Sequence, residues 1–224
     1  MNNDTTFCIP VRGGSRRIPR KNMIDINGET MLGRKIRQLL PLGRVVVGSD
    51  DDEMLEEARR CGADTVRRQC TNEGPDSANA MIAEFMSLIE PCGTVCWVHC
   101  TNPLLSTGTY KRAIDEYGKA LRDGYDSLIS VHEIHGHYWH TDMRTPCYNV
   151  TWCRNMRHLL ASQLPALYEQ DGGIFIQTYD RFKETSYFFG DRPYLFKIPE
   201  EEFLDINTMH DVKVLRALID DEHA

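Results

Sequence analysis

Short apolar runs of β-type residues alternate along this chain with segments of helical periodicity, and that alternation restricts the fold more than any other feature. The runs are Phe7 to Val11, Arg44 to Val47, Thr94 to His99, Ser127 to Val131, Gly173 to Gln177 and Tyr194 to Ile198. The helical patterns are Met31 to Leu40, Asp52 to Cys61, Ala78 to Glu90, Thr107 to Arg122 and His210 to Asp220. Strands that alternate with helices need crossover connections, and right-handed crossovers give a mostly parallel sheet covered on both faces. The expectation is therefore a doubly wound α/β fold. At 224 residues the chain suits one such domain with an excursion. The excursion is expected at 132–168, where the alternation lapses and His, Trp, Met and Arg accumulate. An irregular stretch of that length usually serves function or an interface.

In open α/β sheets the ligand crevice lies beyond the carboxyl ends of the strands, so the residues that follow each run carry the functional information. After the first run stands Arg12-Gly13-Gly14-Ser15, after the second Gly48-Ser49-Asp50, and at the end of the third His99-Cys100-Thr101-Asn102-Pro103. From Arg12 to Lys21 there are five cations (Arg12, Arg16, Arg17, Arg20, Lys21) and no acid, in a chain of net charge −7. Gly13 and Gly14 let backbone N–H groups approach a ligand, Ser15 adds a hydroxyl donor, and guanidinium groups grip phosphate oxygens in pairs. A solvated basic turn or a localisation-type patch has the same composition. Position directly after a buried strand favours a phosphate site. The run matches neither the GxxxxGK[ST] loop nor the GxGxxG dinucleotide fingerprint.

The acidic balance argues against a general nucleic-acid partner, which needs a basic face to neutralise phosphates. No apolar run approaches the roughly 18–20 residues of a membrane span, and residues 1–11 lack the basic and apolar regions of a leader, so a cytoplasmic protein without membrane association is expected. The eight cysteines then read as reduced, mostly buried thiols. Cys92, Cys96 and Cys100 are spaced by four, but the β-branched and aromatic residues between them favour a strand, where that spacing makes no compact chelate.

The run IPVRGGSRRIPRKN, Ile9 to Asn22, resembles the N-terminal motif of the acylneuraminate cytidylyltransferases, of the type I/A-P-A-R-G-G-S-K-x-I-P-x-K-N. The likeness continues through Asn27-Gly28 before Met31-Leu32, Ser49-Asp50, and Arg68 followed by Asp76-Ser77-Ala78. It goes on through Thr101-Asn102-Pro103-Leu104, Gln163-Leu164-Pro165, Asp171-Gly172-Gly173-Ile174-Phe175-Ile176 and Asp205-Ile206-Asn207-Thr208. It thus spans nearly the whole chain in order.

The resemblance implies a CTP-dependent enzyme in which CTP lies across the Arg12 to Asn22 loop. Arg12, Ser15 and Lys21 would hold the triphosphate, Arg12 and Lys21 as catalytic cations, with Gly13 and Gly14 lining the loop, Asn22 near the ribose, and Arg68 with the Ala78 segment at the cytosine. His99, Thr101, His137, Tyr138, Gln163 and Asp171 would line the acceptor side. The acceptor would be an acidic sugar, a sialic-acid-like nonulosonate or a related 2-keto sugar acid, whose hydroxyl attacks the α-phosphorus in line and expels pyrophosphate. A homodimer is implied as well, with the 132–168 arm of one subunit completing the acceptor site of the other.

A triphosphate under attack needs a divalent ion, and Mg²⁺ is usually held by one or two carboxylates with phosphate oxygens and water. Asp205 is the candidate ligand. The family pattern at this place is D-I-D-T, and here Asn207 replaces the second carboxylate with an amide that can coordinate through its carbonyl. The same four residues also suit a helix N-cap, with Asp211 near the positive end of the dipole, and both readings can hold together. His132, His135, His137 and His140 with Glu133 suggest zinc, but their spacing matches no zinc motif; His137-Tyr138-Trp139 resembles the family's acceptor-pocket stretch without its proline.

Three positions depart from the family on the acceptor and metal side. Ala161 stands where an arginine binds the acceptor carboxylate, with Arg154, Arg157, His158 or a histidine of the 132–140 cluster as substitutes if the acceptor carries one. Asp171 replaces an asparagine, which favours donors on the acceptor, and Asn207 replaces an aspartate. A different small anion such as a phosphonate, or a catalytically weak nucleotide-binding module, are the alternatives these departures leave open.

Overall fold

The computed structural model describes residues 4–15, 17–69, 77–138 and 159–221. In chain order its elements are β1 (Thr5–Pro10), the short pair β2 (Asp25–Ile26) and β3 (Glu29–Thr30), α1 (Met31–Leu39), β4 (Arg44–Ser49), α2 (Asp52–Arg60) and β5 (Asp64–Arg67). There follow α3 (Ser77–Leu88), β6 (Thr94–Val98), α4 (Thr107–Arg122), β7 (Ser127–Ile134), β8 (Leu167–Thr178), α5 (Tyr179–Thr185), β9 (Pro193–Lys197) and α6 (Met209–Asp221). Seven strands form one sheet in the order β5-β4-β1-β6-β8-β7-β9. Strand β1 runs parallel to β4 and β6, β4 to β5, and β7 to β9; only β8 is antiparallel to its neighbours. The expectation of a doubly wound, mostly parallel sheet holds.

Alternate side chains of the central strands feed two separate cores, as the pleat requires. Phe7, Ile9, Val45, Val47, Cys96, Val98, Ile174 and Ile176 join one cluster with Leu32, Ile36 and Leu39 of α1 and Tyr110, Ala113 and Tyr117 of α4. Cys8, Val46, Val95, Trp97 and Phe175 join the other, against Ile82, Phe85 and Met86 of α3 and Phe182 of α5. Both faces are therefore covered, which is why these strands read as continuous apolar runs. Helix starts are set by side-chain caps: Thr30 accepts from the Gly33 amide, Asp51 from Met54, Ser106 from Thr109 and Thr178 from Arg181. At α6 the Thr208 hydroxyl accepts from the Asp211 amide while the Asp211 carboxylate accepts from the Thr208 amide, a reciprocal capping box.

Three features differ from the sequence expectation. Strand β5 and helix α5 carry no apolar run long enough to be read, since β5 is a four-residue strand at the sheet edge and α5 has seven residues. The stretch 132–168 is not irregular throughout. Its two ends are paired strand, with β7 reaching Ile134 and β8 beginning at Leu167, because backbone pairing continues from Val131↔Gln170 to Ile134↔Leu167. Residues 139–158, with Trp139, His140, Arg154, Arg157 and His158, lie outside the described residues. Among the described residues no helix is long and apolar enough to cross a membrane.

Between its two paired halves β8 slips register: Ile129 faces Phe175 while Val131, two residues on, faces Gln170. The extra residues bulge at Asp171 to Gly173, where Gly172 takes φ 75°. A side chain on Gly173 would meet Leu105 at 2.5 Å and Asp171 at 2.7 Å, so the bulge depends on glycine there.

Candidate active site

Where β1 ends, the Val11 amide still bonds the Gly48 carbonyl at 2.9 Å, and the chain leaves the sheet at Arg12. The turn that follows is docked on the start of α2. Gly13 donates its amide to Asp50 Oδ1 at 3.1 Å, and a Cβ on Gly13 would come within 2.6 Å of Asp51 Oδ2, so a larger residue there would have to displace the carboxylate that Arg20 holds. Arg20, in left-handed conformation at φ 50°, pairs with Asp51 at 3.2 Å and Glu53 at 2.8 Å. Its charge is thereby directed to the α2 terminus. Ile18 anchors the loop in a third apolar cluster with Ile26, Met31, Ile206, Val212, Leu215 and Ile219.

That cluster brings the turn before α6 against the loop. Ile206 is fully buried; its amide bonds the Thr101 carbonyl at 2.8 Å, and its carbonyl accepts from Lys21 Nζ at 2.6 Å. Burial lowers the Lys21 pKa, with Arg17 and Arg12 adding to the fall and the Asp205 carboxylate opposing it. Asn207 donates through Nδ2 to Asp205 Oδ2 at 2.5 Å and accepts through Oδ1 from Arg17 at 2.9 Å.

A cavity of about 480 Å³ opens at these strand ends. Its walls are Pro10, Val11, Arg12, Ser15, Arg17, Ile18, Lys21 and Asn22 from the first segment, Arg68 and Met81, His99, Cys100 and Thr101 from the end of β6, and Asn207. Eight residues singled out from the sequence meet there: Arg12, Ser15, Lys21, Asn22, Arg68, His99, Thr101 and Asn207. Arg68 is 2 % exposed and bonds the Val11 carbonyl at 3.0 Å, which sets it against the root of the loop. His99 is held by both ring nitrogens: the Trp97 indole N–H donates to Nε2 at 3.2 Å, so Nδ1 carries the proton and bonds the Gly172 carbonyl at 2.8 Å. Burial lowers its pKa, and because the Nε2 lone pair is taken by the Trp97 indole the ring is a wall rather than a base.

Other expected site residues lie off the cavity wall. Asp205 reaches it through Asn207. Gly13 and Gly14 are not among the wall residues, and Ala78 is displaced by Met81, one turn further along α3. His137 bonds the Leu159 carbonyl at 3.1 Å, Tyr138 packs beside Gly136, and Gln163 accepts from the Leu160 amide at 3.0 Å. Asp171 is 5 % exposed, accepts from the Ser130 hydroxyl, and has its pKa raised by burial. It supports the β8 bulge behind the wall instead of facing the cavity.

One buried group was not read from the sequence. Lys35 of α1 is fully buried and donates to the Asn102 carbonyl and the Tyr110 hydroxyl, both at 2.7 Å. Arg34 and Gln38 of the same helix bond the Pro103 carbonyl, so α1 clamps the 102–103 backbone from behind while the Asn102 amide bonds the Asp171 carbonyl. The available signal was phase: Lys35 lies between Leu32, Ile36 and Leu39 on the core face of α1.

Burial lowers the Lys35 pKa from 10.5 to about 7. The unfolded chain therefore binds more protons than the folded one between about pH 7 and 10.5, so this group's penalty is full below pH 7 and relieved as pH rises. Urea unfolding at pH 7, 8 and 9 should show a rising contribution to stability in the parent chain that Lys35→Met lacks. Equal slopes in the two proteins would refute it.

A cation-lined cavity at the carboxyl ends of a mostly parallel sheet defines a nucleotide-binding α/β protein. The chain belongs to the cytidylyltransferase family, whose model matches residues 6–204. It is a CTP-dependent nucleotidyltransferase. It is 27 % identical over 225 residues to a pseudaminic acid cytidylyltransferase of Campylobacter jejuni, with 96 % of each chain covered. It is 25 % identical over 211 residues to an N-acylneuraminate cytidylyltransferase of Streptococcus agalactiae, covering 91 % of this chain and 50 % of that one. Among solved structures, a CMP:2-keto-3-deoxy-manno-octonic acid synthetase complexed with CTP matches the fold with a TM-score of 0.70 at 16 % identity, covering 97 % of this chain and 99 % of the other.

Proposed function

We propose that this chain transfers CMP from CTP to a 2-keto sugar acid of the nonulosonate type and releases pyrophosphate. The observation that carries this is the cavity in which Arg12, Ser15, Arg17, Lys21 and Arg68 converge, in a chain aligned over 96 % of its length with a pseudaminic acid enzyme. Arg12 and Lys21 grip the triphosphate, with Ser15 and the Gly13-Gly14 backbone alongside. Asn22 sits at the ribose, and Arg68 with the α3 start near Ala78 flanks the base. The acceptor enters from the His99 and Thr101 side, with His137, Tyr138 and Gln163 toward the 132–168 arm.

In the reaction an acceptor hydroxyl oxygen forms a bond to the α-phosphorus as the bond from that phosphorus to the bridging oxygen breaks, and the electron pair leaves with pyrophosphate. The cations offset negative charge on the phosphates, and fixed geometry supplies the in-line approach. Asp205 would hold Mg²⁺. Among the described residues no group of three or more His, Cys, Asp or Glu is gathered for a metal, and one carboxylate beside a triphosphate cavity fits an ion completed by phosphate oxygens and water. The ion would supply further charge neutralisation on the phosphates.

One sheet running from Thr5 to Lys197 supports reading the chain as a single catalytic domain. We read the chain as a homodimer in which the 132–168 arm, whose two ends are the paired ends of β7 and β8, completes the partner's acceptor site. The acceptor class is tested by whether CTP and each of a panel of sugar acids yield a CMP conjugate.

A further inference from the structure

Asn207 occupies an unusual place between two charges. Its carbonyl accepts from the Arg17 guanidinium at 2.9 Å, and its amide nitrogen donates to the Asp205 carboxylate at 2.5 Å. The residue itself is rigidly based: its backbone amide bonds Asp211 at 2.8 Å in the α6 capping box, and the preceding Ile206 is tied to both Thr101 and Lys21. Arg17 is the opposite case, an exposed side chain on a loop, with its guanidinium fixed at Asn207 and its length along the cavity wall. A long side chain held in this way has already lost rotamer freedom that binding would otherwise cost.

We infer that Asn207 is a positioning residue that holds Arg17 over the cavity as a further phosphate-binding cation. The inference rests on the CTP reading of this site. An amide suits the task because it accepts from a cation and donates to a carboxylate while adding no charge. A carboxylate at 207 would neutralise Arg17 and repel Asp205, and an aliphatic side chain would leave Arg17 unheld. The carbonyl oxygen by which Asn207 would ligate a metal is the one that Arg17 occupies.

The test is calorimetric titration of the full chain with CTP in EDTA, alongside thermal melts. Arg17→Gln should weaken CTP binding by about tenfold, and Asn207→Ala by roughly three- to tenfold. The double variant should be no weaker than Arg17→Gln by more than about twofold, because the two residues act as one unit. Asn207→Asp should weaken binding in EDTA by about tenfold, with most of the loss recovered when Mg²⁺ is added. Arg17 is exposed, so Arg17→Gln keeps the measurement meaningful if the Asn207 variants melt early. Additive losses in the double variant, or unchanged affinity in Arg17→Gln, would overturn the inference while leaving the CTP reading intact. Failure of the parent chain to bind CTP would overturn that reading and this one with it.

Discussion

Asp205→Ala should lower Mg²⁺-dependent turnover by about 10²- to 10³-fold, the loss usual when one element of transition-state charge stabilisation is removed. Asp205 sits at the centre of the charge balance beside the cavity, next to Lys21 and joined through Asn207 to Arg17. Its removal takes away the proposed metal ligand and leaves two cations without their counter-charge. Folding should survive. The turn is anchored by the buried Ile206 side chain, by its amide's bond to the Thr101 carbonyl and by its carbonyl's bond from the Lys21 ammonium, none of which uses the Asp205 carboxylate. Steady-state rates across a Mg²⁺ series, with a melting curve for each protein, check the expectation. Turnover equal to that of the parent chain would remove Asp205 from the mechanism.

Arg12→Ala should weaken CTP binding by roughly 1.5–3 kcal/mol, the range for a charge-assisted hydrogen bond that is lost from a partly buried site. That corresponds to about 10- to 150-fold in Kd. Arg12 is the first residue beyond the β1–β4 pairing and lines the cavity, so its backbone position is set by the sheet. Arg20 makes the contrast within the same loop, because its guanidinium pairs with Asp51 and Glu53 at the α2 terminus. Calorimetry reports the change directly, and an unaltered affinity in Arg12→Ala would refute the assignment of the loop to the triphosphate.

The alternation of runs and helical patterns was enough to read the sheet because each central strand is buried on both faces and so written almost wholly in apolar residues. Where burial is partial the signal fades. Strand β5, Asp64 to Arg67, is half exposed at an edge, and α5 is too short to build a stripe. The cavity at the strand ends was legible for a topological reason: residues after successive parallel strands converge, and Arg12, Ser15, Lys21, Asn22, His99 and Thr101 do so on one wall. Spacing alone gave no account of the β8 bulge, which turns Asp171 inward to Ser130 although its neighbours in sequence suggest a ligand-facing turn. Lys35 escaped notice because a lysine between Arg34 and Arg37 looks solvated, and only its phase with Leu32 and Leu39 betrays burial. The pairing of Arg17 with Asn207 spans 190 residues, a separation over which no local pattern carries information.

Product analysis tests the central claim most directly: the chain is incubated with Mg²⁺, each of CTP, UTP, ATP and GTP, and a panel of nonulosonic acids, shorter 2-keto sugar acids and phosphonates. Equimolar pyrophosphate and a CMP conjugate are expected from CTP and a nonulosonic acid, with little product from the other nucleotides. A conjugate formed only with a phosphonate would contradict the acceptor class. Tight CTP binding without product from any acid would contradict cytidylyl transfer to a sugar acid.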